Sequence, residues 1–137
     1  MRPFLKASSI LAATWLVLSV NTVAMAEPIT IKPLYSGAVT DMSGKHMTVL
    51  EVSIEPGAGM PPHRHPGTVY AYVVSGSVKS KLSSDAAAIV YEAGQGWIEP
   101  PDGIHEVFEN PSDSENALMT ATFIHEEGEE LVIPVGK

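Results

Sequence analysis

Five histidines are spread over 137 residues, and two of them, His63 and His65, stand one residue apart in the run PPHRHPG at 61–67. In an extended segment, residues i and i+2 project to the same side, so both imidazoles face one point while Arg64 faces away. Their Cα atoms then lie about 6.5–7 Å apart, and two ring nitrogens can converge on an ion about 2.0–2.1 Å from each. Pro61, Pro62 and Pro66 stiffen the backbone and lower the entropy lost when the pair is fixed. Two imidazoles seldom hold an ion alone in water, and the chain offers His46, His105 and His125 as a third ligand. His105 is the strongest of these because it follows the turn PPDG at 100–103 and opens a strand in which Val107 is its same-side neighbour. His46 shares the register of Leu50, Val52 and Ile54, and His125 that of Phe123. Both read as hydrogen-bonded residues at the end of a barrel, or as partners that orient a ligand ring. An i, i+2 pair also suits an exposed turn, so spacing alone leaves metal binding open.

The rest of the chain bounds what can position such a cluster. There is no cysteine, which removes disulfides, thiolate nucleophiles, sulfur ligands and a lipid-bearing cysteine, so any metal is held by nitrogen and oxygen. Residues 1–26 read as an export signal: Arg2 and Lys6 give a positive start, residues 7–20 are mostly apolar, and Ala24-Met25-Ala26 forms an A-x-A cleavage site. The apolar run is shorter than the roughly 20 residues of a membrane span, and Asn21 interrupts it. An uncleaved anchor is the alternative to cleavage after Ala26. The expected mature chain, residues 27–137, is periplasmic or secreted and of a length that suits one domain. The formal charge is −8 for the whole chain and −10 without Arg2 and Lys6. Nucleic acid and anionic membranes repel such a chain, and neither is an expected partner.

No window shows helical periodicity, whereas short alternating runs bounded by Gly, Pro, Ser and Asp recur at close spacing. Strands are predicted over 47–54, 68–74, 78–82, 88–91, 96–99, 105–108, 117–124 and 131–135. Eight short strands imply an all-β fold, a closed barrel or a two-sheet jelly roll, in which closure or stacking hides the sheet edges. Met47, Met60 and Met119 read as gap-filling core. The acidic run EEGEE at 126–130 reads as a solvated turn.

The stretch Gly57, five residues, His63-Arg64-His65, three residues, Val69, six residues, Gly76 is similar to the first cupin motif, G-x5-H-x-H-x3–4-E-x6-G. The second, G-x5-P-x-G-x2-H-x3-N, is echoed by Gly94, Pro100, Gly103, His105 and Asn110, with Gly103 and Asn110 each one position late. The chain thus resembles a small single-domain cupin, a double-stranded β-helix or jelly-roll barrel formed by residues 27–137. The resemblance implies that His63, His65 and His105 ligate a divalent transition metal inside the barrel. It departs at Val69, where many cupins place a glutamate ligand. Three imidazoles without a carboxylate favour Fe, Zn, Cu or Ni over Mg or Ca, with Mn less suited. Glu99 is a candidate fourth ligand or acid/base group, as are Tyr70 and Tyr72 if a bulge at Pro66-Gly67 turns them inward.

Three functions remain in view. The first is a metal-dependent enzyme acting on a small organic molecule, oxygenase-like by family analogy, with Val69, Val73, Val107, Phe123 and Trp97 excluding water. The second is a non-catalytic exported module that binds a metal or a small ligand. The third is a metal-free structural barrel. Cupin barrels are often dimers, so a homodimer is a further expectation from the resemblance.

Overall fold

The computed structural model describes residues 28–136, so the segment read as an export signal and its cleavage point lie outside the described residues. The described chain is built from strands: β1 (Ile29–Ala38), β2 (Lys45–Ile54), β3 (Gly59–Met60), β4 (His63–Arg64), β5 (Thr68–Ser75), β6 (Ser77–Leu82), β7 (Ile89–Glu92), β8 (Gly96–Glu99), β9 (Ile104–Glu109), β10 (Ala117–Glu126) and β11 (Ile133–Pro134). They form two antiparallel sheets, one in the order β1-β2-β10-β5-β8 and one in the order β11-β4-β9-β6-β7, with β3 also pairing with β9. This is the all-β jelly-roll barrel that the alternation predicted.

Period-two patterning explains which face of each strand turns inward. In β10, Ala117, Met119, Ala121, Phe123 and His125 are buried while the residues between them are not. In β5 the buried set is Val69, Ala71 and Val73, and in β6 it is Val78, Ser80 and Leu82. The inward residues of the two sheets meet in one core that includes Ile54, Val73, Met119 and Phe123 from the first sheet and Val78 and Phe108 from the second. Each buried aliphatic or aromatic side chain contributes roughly 1.5–3 kcal/mol relative to exposure.

Two glycines let the sheets close. Gly76, between β5 and β6, has φ +70°, and a Cβ there would lie 2.6 Å from the Asn116 carbonyl oxygen. At Gly67 a Cβ would lie 2.0 Å from the Ile124 carbonyl oxygen, so only glycine lets the segment after His65 run against β10.

Several expectations are corrected. β1 was not anticipated, because it is an edge strand with most residues exposed and a register shift between Pro33 and Tyr35, which blurs alternation. The final strand shrinks to two residues, and β3 and β4 are equally short. Tyr70 and Tyr72 point outward, 47% and 38% exposed, because the register of β5 against β10 is unbroken from Thr68 to Val73, its one shift falling later at Val74, and Val69, Ala71 and Val73 take the inner face. Val107 is only half-buried, and Phe108 turns inward instead. The cause is a bulge: Leu82 stands opposite His105 and Lys81 opposite Val107, which leaves Glu106 unpaired. Met47 lies on the outer face of β2, next to buried Thr48, so of the three methionines it alone is not core.

Candidate metal centre

The third histidine reaches the first two through strand pairing. His63 opens β4 and stands directly opposite His105 near the start of β9, while Arg64 stands opposite Ile104. His65 follows β4 immediately, and its carbonyl accepts the Asp102 N–H at 2.7 Å, which ties the histidine run to the turn before β9. Asp102 itself has φ +60°, a left-handed conformation that aspartate tolerates better than most residues, and its carboxylate pairs with Arg64. Asp102 thus takes the backbone role of the motif glycine that is displaced to 103. Asn110 arrives one position late because β9 carries the extra residue of its bulge. There Asn110 is buried, donates to the carbonyls of Ile54 (3.1 Å) and Glu115 (2.8 Å), and accepts from the Ser112 N–H (3.0 Å).

His63, His65 and His105 are all buried, and one nitrogen of each lies within 4.8 Å of the others. Hydrogen bonds decide which nitrogens face the centre. His63 Nδ1 donates to the Pro61 carbonyl at 2.9 Å, and His65 Nδ1 donates to the Leu131 carbonyl at 2.5 Å. A carbonyl can only accept, so both neutral rings carry the proton on Nδ1 and the lone pair on Nε2. His105 Nε2 lies 2.8 Å from Ser80 Oγ, and when it donates there the Nδ1 lone pair is left inward. Burial, followed by the charges of His105 and His65, pushes the His63 pKa below its ordinary 6.5 against the raising effect of the Pro61 carbonyl. The ring is therefore kept neutral, the form that binds metal.

Glu99, at the end of β8, is 3% exposed and completes the cluster. Its Oε1 accepts the Trp97 indole N–H at 2.9 Å. Oε2 approaches His65 Nε2 at 3.4 Å and His105 Nδ1 at 3.3 Å. Burial raises its pKa, but without a metal His105, by proton sharing and by its charge when protonated, the charge of protonated His65 and the Trp97 hydrogen bond outweigh burial and hold the carboxyl below its ordinary 4.5. Glu99 Oε2 and His105 Nδ1 are buried without any hydrogen-bond partner among the described residues. Buried polar atoms left unpaired are costly, and a cation between them would satisfy both. The donor set therefore fits a divalent transition metal.

These groups line a cavity of about 50 Å³. Apart from the three histidines and Glu99 the lining is apolar, with Val69 and Phe123 joined by Ile31, Leu50, Met60 and Phe108, the last four outside the predicted pocket set. Val69 and Phe123 are where the sequence placed them. Val73 and Trp97 are buried core.

The other two histidines stand apart from this cluster. His46 and His125 face each other across β2 and β10. His125 engages Thr48 Oγ1 at 2.9 Å through Nε2 and the Glu126 carbonyl at 2.7 Å through Nδ1, as expected of a hydrogen-bonded residue at a barrel end. Ser80 and the Leu131 carbonyl were missed as supports of the ligand rings. For Ser80 a signal existed, a lone hydroxyl on the inward face between Val78 and Leu82.

The cupin domain profile matches residues 50–133, and no curated protein sequence matches the chain. Solved structures show the same fold at low identity. A cupin-like protein from Thermotoga maritima is 22% identical with a TM-score of 0.60, over 80% of this chain and 77% of that one. The polyketide cyclase RemF from Streptomyces resistomycificus is 19% identical with a TM-score of 0.62, over 81% and 73%. An oxalate oxidase in complex with the substrate analogue glycolate is 20% identical with a TM-score of 0.63, over 82% of this chain but only 57% of that one.

Proposed function

The chain belongs to the cupin domain family, and from that premise we propose that it is an exported single-domain protein that holds a divalent transition metal through His63, His65 and His105 and acts there on a small organic molecule. The observation that carries this reading is the convergence of three buried ring nitrogens within 4.8 Å, two of them fixed as lone-pair donors by backbone carbonyls. When bound, the metal would supply Lewis-acid or redox chemistry. The chain's own residues hold the ring tautomers, exclude water with an apolar wall, and place a carboxylate beside the centre. An oxygenase-like step is the first choice, by analogy with three-histidine members of the family. The similar structures include a cyclase and an oxidase, so the fold supports more than one chemistry.

The size of the cavity favours a second reading, a binding module without turnover. About 50 Å³ holds roughly three to five water molecules, so a ligand places little more than its metal-binding head inside. Export is supported by the charge and A-x-A pattern of residues 1–26.

Elemental analysis of protein purified without a metal column tests the centre. One equivalent of transition metal is expected in the native chain and none in His63→Ala. Metal retained by that variant at full stoichiometry would defeat the assignment. Turnover assays on the metal-loaded protein, across oxygen-dependent and hydrolytic substrates, then separate enzyme from module.

A further inference from the structure

Glu99 is a buried carboxylate for which the three-histidine set provides no role. One of its oxygens is satisfied by Trp97, and the other, Oε2, meets no donor among the described residues. That free oxygen lies 3.4 Å from His65 Nε2 and 3.3 Å from His105 Nδ1. Its two neighbours are the nitrogens left facing inward once Leu131 and Ser80 have taken the far sides of those rings. A carboxylate oxygen and two imidazole lone pairs at this range repel one another unless positive charge lies between them. We propose that Glu99 Oε2 is a fourth ligand of the metal centre, making it a set of three histidines and one carboxylate. The proposal rests on the reading of His63, His65 and His105 as ligands.

Strand pairing shows how the carboxylate comes to be there. Val69 in β5 and Glu99 in β8 stand opposite each other. Opposed side chains in an antiparallel pair leave the same face about 4.5–5.5 Å apart, so residues 69 and 99 look into one volume from adjacent strands. Val69 is fully buried against that volume and fills its share with methyl groups. The acidic ligand absent from the first motif is thus supplied from one strand further along the sheet, and the hydrogen bond from Trp97, two residues earlier on the same strand, fixes its rotamer. An anionic ligand lowers the charge of a divalent centre and makes it more hospitable to harder ions such as manganese than imidazoles alone would. It also leaves sites on a six-coordinate ion for a small chelating molecule.

The test uses one equivalent of cobalt(II) added to the metal-free full chain, to Glu99→Gln and to His63→Ala. Glutamine keeps an oxygen to accept the Trp97 indole N–H and nearly the same volume, and thermal unfolding in chelator checks that the variant folds. Binding is read by calorimetry, the cobalt visible bands, and the infrared difference between loaded and metal-free protein. The infrared difference of the unsubstituted chain does not depend on any variant folding. The expected result is a carboxylate stretch that shifts on cobalt addition in the native chain and not in Glu99→Gln. In that variant the visible bands should change and affinity should fall by at least the roughly hundredfold upper limit typical of losing an outer partner of a ligand. No carboxylate shift in the native chain, or identical cobalt bands in Glu99→Gln, overturns the proposal. If that happens while His63→Ala binds no cobalt, the histidine centre stands and Glu99 is only an ion-pair partner. If His63→Ala still binds one equivalent, the centre itself is wrong.

Discussion

An imidazole binds metal through a nitrogen that carries no proton, so the far nitrogen of each ring decides whether a ligand is ready. His63 and His65 are prepared by carbonyls and His105 by the Ser80 hydroxyl. The His-x-His spacing was plain in the sequence, but these partners were not, since a carbonyl has no sequence signature and Ser80 showed only as a lone hydroxyl on the inward face of β6. The same environment makes the metal-free protein sensitive to acid, and the sign follows from two shifts. The His63 pKa lies below 6.5 in the folded state. Between the ordinary value and the folded one, the unfolded chain binds a proton that the folded chain refuses, so stability falls as pH drops below about 6.5. Glu99 is also lowered, from 4.5, so the stability it contributes is present above that value and lost as pH falls through its folded pKa. Urea unfolding in chelator at pH 7.5, 6 and 5 should show this progressive loss, and His63→Gln should flatten its upper part. Equal slopes in the two proteins between pH 7.5 and 6 would refute the account.

Among the elements, the sequence disclosed the strands whose faces differ and concealed those whose faces do not. β2, β5, β6 and β10 set buried residues against half-buried or exposed ones and were placed within two residues of their ends. β1 is exposed on nearly every residue, and β3, β4 and β11 are two residues long, too short to show a period. The bulge in β9 escaped for a different reason, since one unpaired residue changes the facing of every side chain after it without changing composition. Its trace was present all the same in the late Asn110. Turn glycines carry the next prediction. Gly76 and Gly94 both have positive φ, +70° and +89°, but only Gly76 has backbone within reach of a Cβ. Gly94→Ala should cost about 1 kcal/mol, the penalty of the left-handed conformation. Gly76→Ala should cost roughly 1–3 kcal/mol beyond that, because the Asn116 carbonyl must move as well. Denaturant midpoints at unchanged slope measure both, and equal losses would show that the close approach relaxes freely.

For the molecule as a whole, two sheets without a disulfide must be held by packing and, on the reading above, by an ion that joins β4, β8 and β9. Those strands belong to different sheets, β8 to one and β4 and β9 to the other, so a ligand set spanning them fastens the barrel across its middle. If the ion binds only the folded chain, saturation at about a thousand times Kd adds roughly 4 kcal/mol of stability. The melting temperature should therefore fall in chelator and recover when metal is restored, and a melt indifferent to both would argue that the cluster is empty in solution. One further property comes with the position of Trp97. The indole is the sole tryptophan among the described residues; it lies buried against Tyr91 with ring centres 4.6 Å apart, donates its N–H to Glu99, and sits 6.3 Å from the His105 ring. On the proposed reading its fluorescence should consequently report on the centre, quenched by paramagnetic copper or iron and spared by closed-shell zinc, so that occupancy would be followed optically without attaching a dye.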